Sequence, residues 1–307
     1  MLPERTRQSY GPGVTSASKA VLLEVITTLR AYQDALVLVG GWAPYWLLAQ
    51  HRRPDDAFAH VGSIDIDLAI DPKTVREPQY ATILELLTAR GYRPANTRRG
   101  AAIPGSLERT VTSPLTQKPY AIRVDFLAPL DDPDARGLRR PQPAQEDLLA
   151  RKLKGCDAAF RYQTTLQLTG SLPEGGHLTV PLRMADAVAC LTMKGVVLGE
   201  RYREKDAYDI YALLAHYGAG PADVARCVHP HLSDPRVAEG IAGIRSAFAT
   251  RAAHGPAWVA AFLVNPIFSA ERERVITDAY MVVSEFFRHL DAAEPLSAGA
   301  SRAATSA

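Results

Sequence analysis

The stretch HVGSIDIDLAID, residues 60–71, decides how this chain is read. Two aspartates, Asp65 and Asp67, stand one residue apart inside an apolar run. Strands usually exclude aspartate, whose short polar side chain competes for backbone hydrogen bonds. Strand geometry alternates the faces, so Ile64, Ile66 and Leu68 point one way, toward a core. Asp65 and Asp67 point the other way, roughly 7 Å apart by strand rise. Two carboxylates that close repel each other unless a cation lies between them. One reading is a strand with a wet face. The other is a site for a hard divalent cation such as Mg²⁺, which takes carboxylate oxygens together with substrate phosphate.

Working outward, ALVLVGG (35–41) reads as a buried strand ending in the pair Gly40–Gly41, and WAPYWLLAQ (42–50) as a helix with Pro44 in its first turn. Glycines let a backbone approach phosphate closely, and a following helix presents free N–H groups. Ser63, just before the acidic strand, is a candidate phosphate donor. Asp125 sits in another apolar strand, YAIRVDFLAP (120–129). Three acids on neighbouring strands suit two-cation phosphoryl or nucleotidyl transfer. Helices are expected over 18–33, with Ser16 or Ser18 as N-cap, and over 79–91; strands alternating with helices give an α/β half. A short helix is expected to end near Lys154, then a hairpin from RYQTTLQL and HLTVPLRM. From residue 184 the chain turns helical.

The fold class expected is therefore α+β. The expected layout is a poorly ordered segment 1–17, an α/β catalytic domain with a mixed sheet over 18–180, an all-helical domain over 181–292, and a low-complexity tail over 293–307.

In the helical half, Lys194 lies in the apolar segment CLTMKGVVL. A buried lysine needs an anion, and a triphosphate or Asp209 would serve; the alternative is a lysine that snorkels to the surface. On that first reading, Lys194→Met costs activity and little stability. Asp206 and Asp209 share a helical face, where Arg203 or Lys205 could pair with them. Trp42, Tyr45 and Trp46 suit packing against the sheet better than base stacking.

Bulk numbers exclude several classes. A net charge of +2 over 307 residues gives no general attraction to nucleic acid, although residues 90–161 carry fourteen Lys/Arg against eight Asp/Glu. Three cysteines without a CxxC pair argue against disulfides and zinc, and for a reducing, cytoplasmic setting. No apolar leader and no run long enough to span a membrane is seen.

The elements LVGG, GSIDIDLAID and IRVDF together resemble the polymerase-beta-type nucleotidyltransferase fold. LTVPLRMADAVACLTMKGVVLGERYREKDAYDIYALL (178–214) resembles the AbiEii-type nucleotidyltransferases, many of them toxins of type IV toxin–antitoxin or phage-defence systems. That family places a lysine on one helix and Arg-x-Lys-Asp-x-x-Asp-Leu on the next. Here Lys194, Arg203, Lys205, Asp206 and Asp209 match, with Ile210 in place of leucine. The resemblance implies an enzyme moving NMP from an NTP to an acceptor, first of all the tRNA 3′ end. Asp65, Asp67 and Asp125 would hold Mg²⁺, Gly40, Gly41 and Ser63 would cradle phosphate, and Lys194 and Asp209 would join the catalytic set. A cognate antitoxin is an implied partner. Transfer to a small molecule or a protein side chain, and a nucleotide-binding regulatory module, are the competing expectations. The 23 residues between Gly41 and Asp65 exceed the family's usual gap, so QHRRPDDAFAHVG (50–62) should enlarge a loop beside the site.

Overall fold

A computed structural model describes residues 6–75, 81–130, 141–199, 204–264 and 269–292. Helix α1 (Pro12–Thr28) leads into a 3-10 turn (Arg30–Ala35) and strand β1 (Leu36–Val39). Then come α2 (Trp42–His51), β2 (Ile66–Ile70), α3 (Ile83–Thr88), β3 (Arg93–Asn96), β4 (Ala102–Thr112) and β5 (Pro119–Pro129). Next are β6 (Gln142–Pro143), β7 (Leu149–Leu153), α4 (Ala158–Arg161) and the hairpin β8 (Gln163–Ser171) with β9 (His177–Ala185). Among the described residues six α-helices follow: α5 (Ala187–Leu198), α6 (Glu204–His216), α7 (Pro221–Val228), α8 (Pro235–Ala247), α9 (His254–Leu263) and α10 (Ala270–Ala292). The fold is α+β, with a mixed sheet and a helical C-terminal part.

The sheet runs β3–β4–β5–β2–β1–β9–β8. Strand β1 is antiparallel to β2, while β2 is parallel to β5, and β7 adds to the far end of β5. Strand β1 is buried along its whole length, as its unbroken apolar sequence requires. Helix α1 packs on β8, β5 and β9, while α2, which follows β1, packs on α6 and α5.

Several expectations are corrected. Helix α1 begins at Pro12, six residues before the expected start and inside the segment expected to be poorly ordered. Pro12 at its first turn supplies the helical φ in advance. Ser18 is no N-cap; it is buried mid-helix, where its Oγ accepts from Trp42 Nε1 at 3.0 Å. The aromatic trio of α2 packs on itself and on α1 rather than on the sheet, with Trp42 buried and Tyr45 and Trp46 half-buried. Helix α3 is shorter than expected and starts at a capping box between Thr82 and Glu85. Residues 149–153 form strand β7 instead of helix, because β5 offers them a ladder. Strands β3 and β4 were not expected at all. Strand β9 straddles the expected boundary at 180/181 and pairs with both β8 and β1.

Candidate functional site

Register brings the acids together. Asp67 on β2 lies directly beside Asp125 on β5, and Asp65 stands just before β2 begins. Val39, the last residue of β1, lies opposite Asp67, so the turn that follows must pass over the Asp67 side chain. That turn is Gly40–Gly41. Gly40 has φ +68°, and a Cβ there would come within 2.0 Å of Asp67 Oδ2. Only glycine meets both demands. Gly41 touches Ser63 and Lys205: a Cβ on it would lie 3.0 Å from Ser63 Oγ and 3.3 Å from Lys205 Nζ. The glycine turn, the N-terminus of α2, Ser63, the acids and a lysine of α6 therefore share one locality.

The three carboxylates differ in what holds them. Asp125 is buried; Ser106 donates to its Oδ1 and Arg151 Nη2 to its Oδ2 at 2.6 Å, with Arg123 Nε 3.5 Å away. Asp65 pairs with Arg123 at 3.2 Å. Asp67 receives no hydrogen bond and no ion pair among the described residues. Burial, then the charges of Asp125 and Asp65, push its carboxyl up to about 7. A carboxylate in that position is short of a cation.

Divalent-cation binding can be tested on these donors. Among the described residues no group of three or more His, Cys, Asp or Glu side chains stands ready-made as a cage. The donors nevertheless suit Mg²⁺, which takes one or two carboxylates and completes its shell with water and substrate phosphates. Asp67 and Asp65 fit that description. Asp125, with both oxygens engaged, fits the expected role of metal ligand less well.

Behind the glycine turn lies a buried charge network. Lys194 Nζ, on the all-buried helix α5, donates to Asp209 Oδ2 at 2.7 Å and to Asp206 Oδ1 at 3.0 Å. Asp209 also accepts from Lys205 and from His60. Burial alone would raise the Asp209 carboxyl, but Lys194, Lys205 and His60 overcome it and hold it far below the usual range. Lys194 is driven above the ordinary lysine value by the same two aspartates, against its burial. So the structure resolves the alternatives for Lys194: it is buried and paired, not snorkelling. Asp209 is fully buried and committed to three donors; it positions the lysines.

The long loop explains itself here. Arg52 donates to the carbonyls of Asp56 and Phe58, Asp56 pairs with His216 at 2.7 Å, and the Phe58 ring stacks on His216 at 3.8 Å. His60 then reaches Asp209 at 2.9 Å, while Val61 N donates to Tyr208 Oη. The loop is a strap fastened to α6, and it delivers Gly62 and Ser63 to the glycine turn.

His60 is neutral. Gly62 N donates to its Nδ1 at 3.1 Å, so the proton sits on Nε2 and is given to Asp209. Burial first, then Lys205, lower its pKa to about 4. The unfolded chain, at about 6.5, therefore takes up a proton before the folded one does, and stability from this group drains away as pH falls from 6.5 to 4. Relative to His60→Gln, wild type should lose about 3 kcal/mol between pH 7 and pH 4. Denaturant unfolding of both proteins across that range checks it; parallel curves would mean that His60 is not held neutral.

Sequence reasoning missed His60, Ser106, Arg123 and Arg151. Only Arg123 carried a signal, two residues from Asp125 on the same strand face.

No family model matches the chain, and neither does any curated protein. Among solved structures, MenT4, a nucleotidyltransferase toxin from Mycobacterium tuberculosis H37Rv, is similar to it at 18% identity and a TM-score of 0.34, over 92% of this chain and 90% of that one.

Proposed function

We propose that the chain is a divalent-cation-dependent nucleotidyltransferase. The observation that carries this reading is Asp67: a carboxylate with no donor among the described residues, flanked by Asp65 and Asp125, under a glycine turn that opens a helix. Bound between Asp67, Asp65 and the nucleotide, Mg²⁺ would neutralise charge on the transferring phosphoryl group. The chain's own residues do the rest. Backbone N–H groups of Gly40–Gly41 and the first turn of α2 bind phosphate oxygens, and Ser63 adds a hydroxyl. Lys205, beside Gly41, and Lys194 behind it supply positive charge that the surrounding protein keeps from dispersing into water. Asp125 anchors Arg151 through its Nη2, and that guanidinium would add positive charge near the phosphate oxygens. In the reaction, an acceptor hydroxyl oxygen bonds to the α-phosphorus, the bond to the bridging oxygen breaks, and pyrophosphate leaves. The hydroxyl proton passes to the carboxylate set.

As acceptor we propose tRNA, modified at its 3′ end, and as biological setting a cytoplasmic toxin held by an antitoxin. Support for RNA lies in the basic middle segment, where Arg98 and Arg99 are exposed on the β3–β4 turn. Arg139 and Arg140, of the same segment, lie outside the described residues. The test is incubation with each α-labelled NTP, Mg²⁺ and total RNA, beside RNA-free controls. Label in RNA of tRNA size is expected. Label on protein or on a small molecule would move the acceptor to those classes. No label from any NTP, with nucleotide still bound, would leave a regulatory module.

A further inference from the structure

Strand β8 ends the sheet, paired with β9 alone, and its free edge is unlike the others. Native sheets blunt their edges with short strands, charged residues, prolines or bulges, because a bare row of N–H and C=O groups templates another strand. The opposite edge does so: β3 has four residues, with Arg93, Pro94 and a break in register. Strand β6 has two residues, one of them Pro143. Strand β9 meets β1 at Leu38–Met184 alone, and the stretch before that position carries Pro181 and Arg183. Strand β8 has none of these devices. QTTLQLTGS, residues 163–171, holds no charge and no proline, and pairs with β9 in unbroken register over nine residues.

Two hydrogen bonds fix which way its backbone points. Asp186 N donates to Tyr162 O at 3.1 Å at one end of the hairpin, and Leu172 N to Gly176 O at 3.0 Å at the other. In an antiparallel pair, hydrogen-bonded positions alternate with positions whose N–H and C=O turn outward. The even-numbered residues therefore face β9, and Gln163, Thr165, Gln167, Thr169 and Ser171 present theirs to the free edge. Pro181, opposite Gln167, agrees: it has no N–H to give and stands at an outward-turned position. Among the described residues no backbone group bonds to this edge. The side chains of Thr165, Gln167 and Thr169 are exposed, whereas Leu166 and Leu168 are buried.

The sequence of the strand selects the occupant. Residues 165–169 read Thr-Leu-Gln-Leu-Thr, the same in both directions. Two antiparallel copies centred on Gln167 therefore match position for position. Thr165 meets Thr169 of the second copy, Leu166 meets Leu168, and Gln167 meets itself. Gln167 is an outward-turned position, so the two copies would exchange both backbone bonds at the two-fold axis. Facing threonines are favourable cross-strand pairs, and no like charges are opposed. A two-fold interface demands such self-complementarity, and a foreign strand would need none of it.

We propose that a second copy of this chain pairs with the free edge of β8, antiparallel about Gln167, joining two sheets into one. The edge lies three strands from β2, and the proposal does not depend on the transferase reading.

The experiment follows the mass of the full chain by sedimentation velocity over a range of concentrations. Wild type should pass from monomer to dimer as concentration rises. Gln167→Lys sets like charges face to face and should weaken the dimer at least about tenfold. That side chain is exposed, so the monomer should keep its wild-type melting temperature. Gln167→Cys reports the register, because facing residues of a hydrogen-bonded pair have Cα atoms about 5.5 Å apart, within disulfide range. Mild oxidation should link Gln167→Cys to its own copy. It should leave wild type and Thr165→Cys unlinked, since position 165 lies roughly 14 Å from its own copy. A monomer at every concentration overturns the proposal and leaves the edge to a strand of another protein. A dimer indifferent to Gln167→Lys overturns it too, as does cross-linking that is as ready at Thr165→Cys as at Gln167→Cys. Should Gln167→Lys fail to fold, the two cysteine variants decide.

Discussion

Asp67→Asn should abolish nucleotidyl transfer, by about 10³-fold or more, and should stabilise the metal-free protein. The activity loss follows from removing the cation-seeking oxygen under the glycine turn. The stability gain follows from the sign of the pKa shift. The Asp67 carboxyl titrates near 7 in the folded protein, above its ordinary 3.8. Its ionised form is therefore disfavoured by folding, and the penalty is absent below pH 4, grows up to pH 7 and is constant above. Asparagine removes it, a gain on the order of 2–4 kcal/mol at pH 8 and nothing at pH 4. Unfolding in chelator at both pH values measures this. Equal stabilities at pH 8, or near-wild-type turnover, would sink the site as described. His60 has the opposite slope over nearly the same window, so wild-type stability alone will look flat and only the variants expose the two terms.

Lys194→Met should lose both activity and about 3 kcal/mol of stability. The expectation from sequence, an activity defect with little effect on folding, is revised by what Lys194 touches. Its ammonium is buried against Asp209 and Asp206. Breaking a buried pair by deleting one partner typically costs 3–5 kcal/mol, because the other charge is stranded. Lys205 and His60 still hold Asp209, which places the loss at the lower end. Adding Asp209→Asn to Lys194→Met should restore part of the stability and none of the activity. A denaturation midpoint unchanged by Lys194→Met would show that the network is not coupled to folding.

Local pattern made part of the site legible. Alternation in IDIDLAI set Asp67 on the face away from Ile66 and Leu68, although Asp65 stands just before the strand, and a strand ending in two glycines before a helix located the turn. What failed to show was set by tertiary pairing. The run DLLARKLK has good helix formers at helical spacing, yet its middle is strand β7, since β5 offered it hydrogen bonds. Arg151 arrives at Asp125 by that pairing alone. Strand β4 hid behind a proline and a glycine, Pro104 and Gly105; Gly105 has φ +70° and lies against the carbonyls of Leu149 and Phe126. Ser106 comes next. His60 sits in a loop with no periodicity, where sequence offers no face to assign.

Strand β9 carries one more consequence, for the order in which the chain is made. Leu38 emerges from the ribosome early, but its neighbour Met184 follows on the order of ten seconds later at ordinary elongation rates. Until then β1 has one bare edge, and α5 and α6 with both lysines do not exist. The acids and the glycine turn are thus synthesised long before the charges that complete them. Through that interval an exposed apolar strand edge waits for its partner.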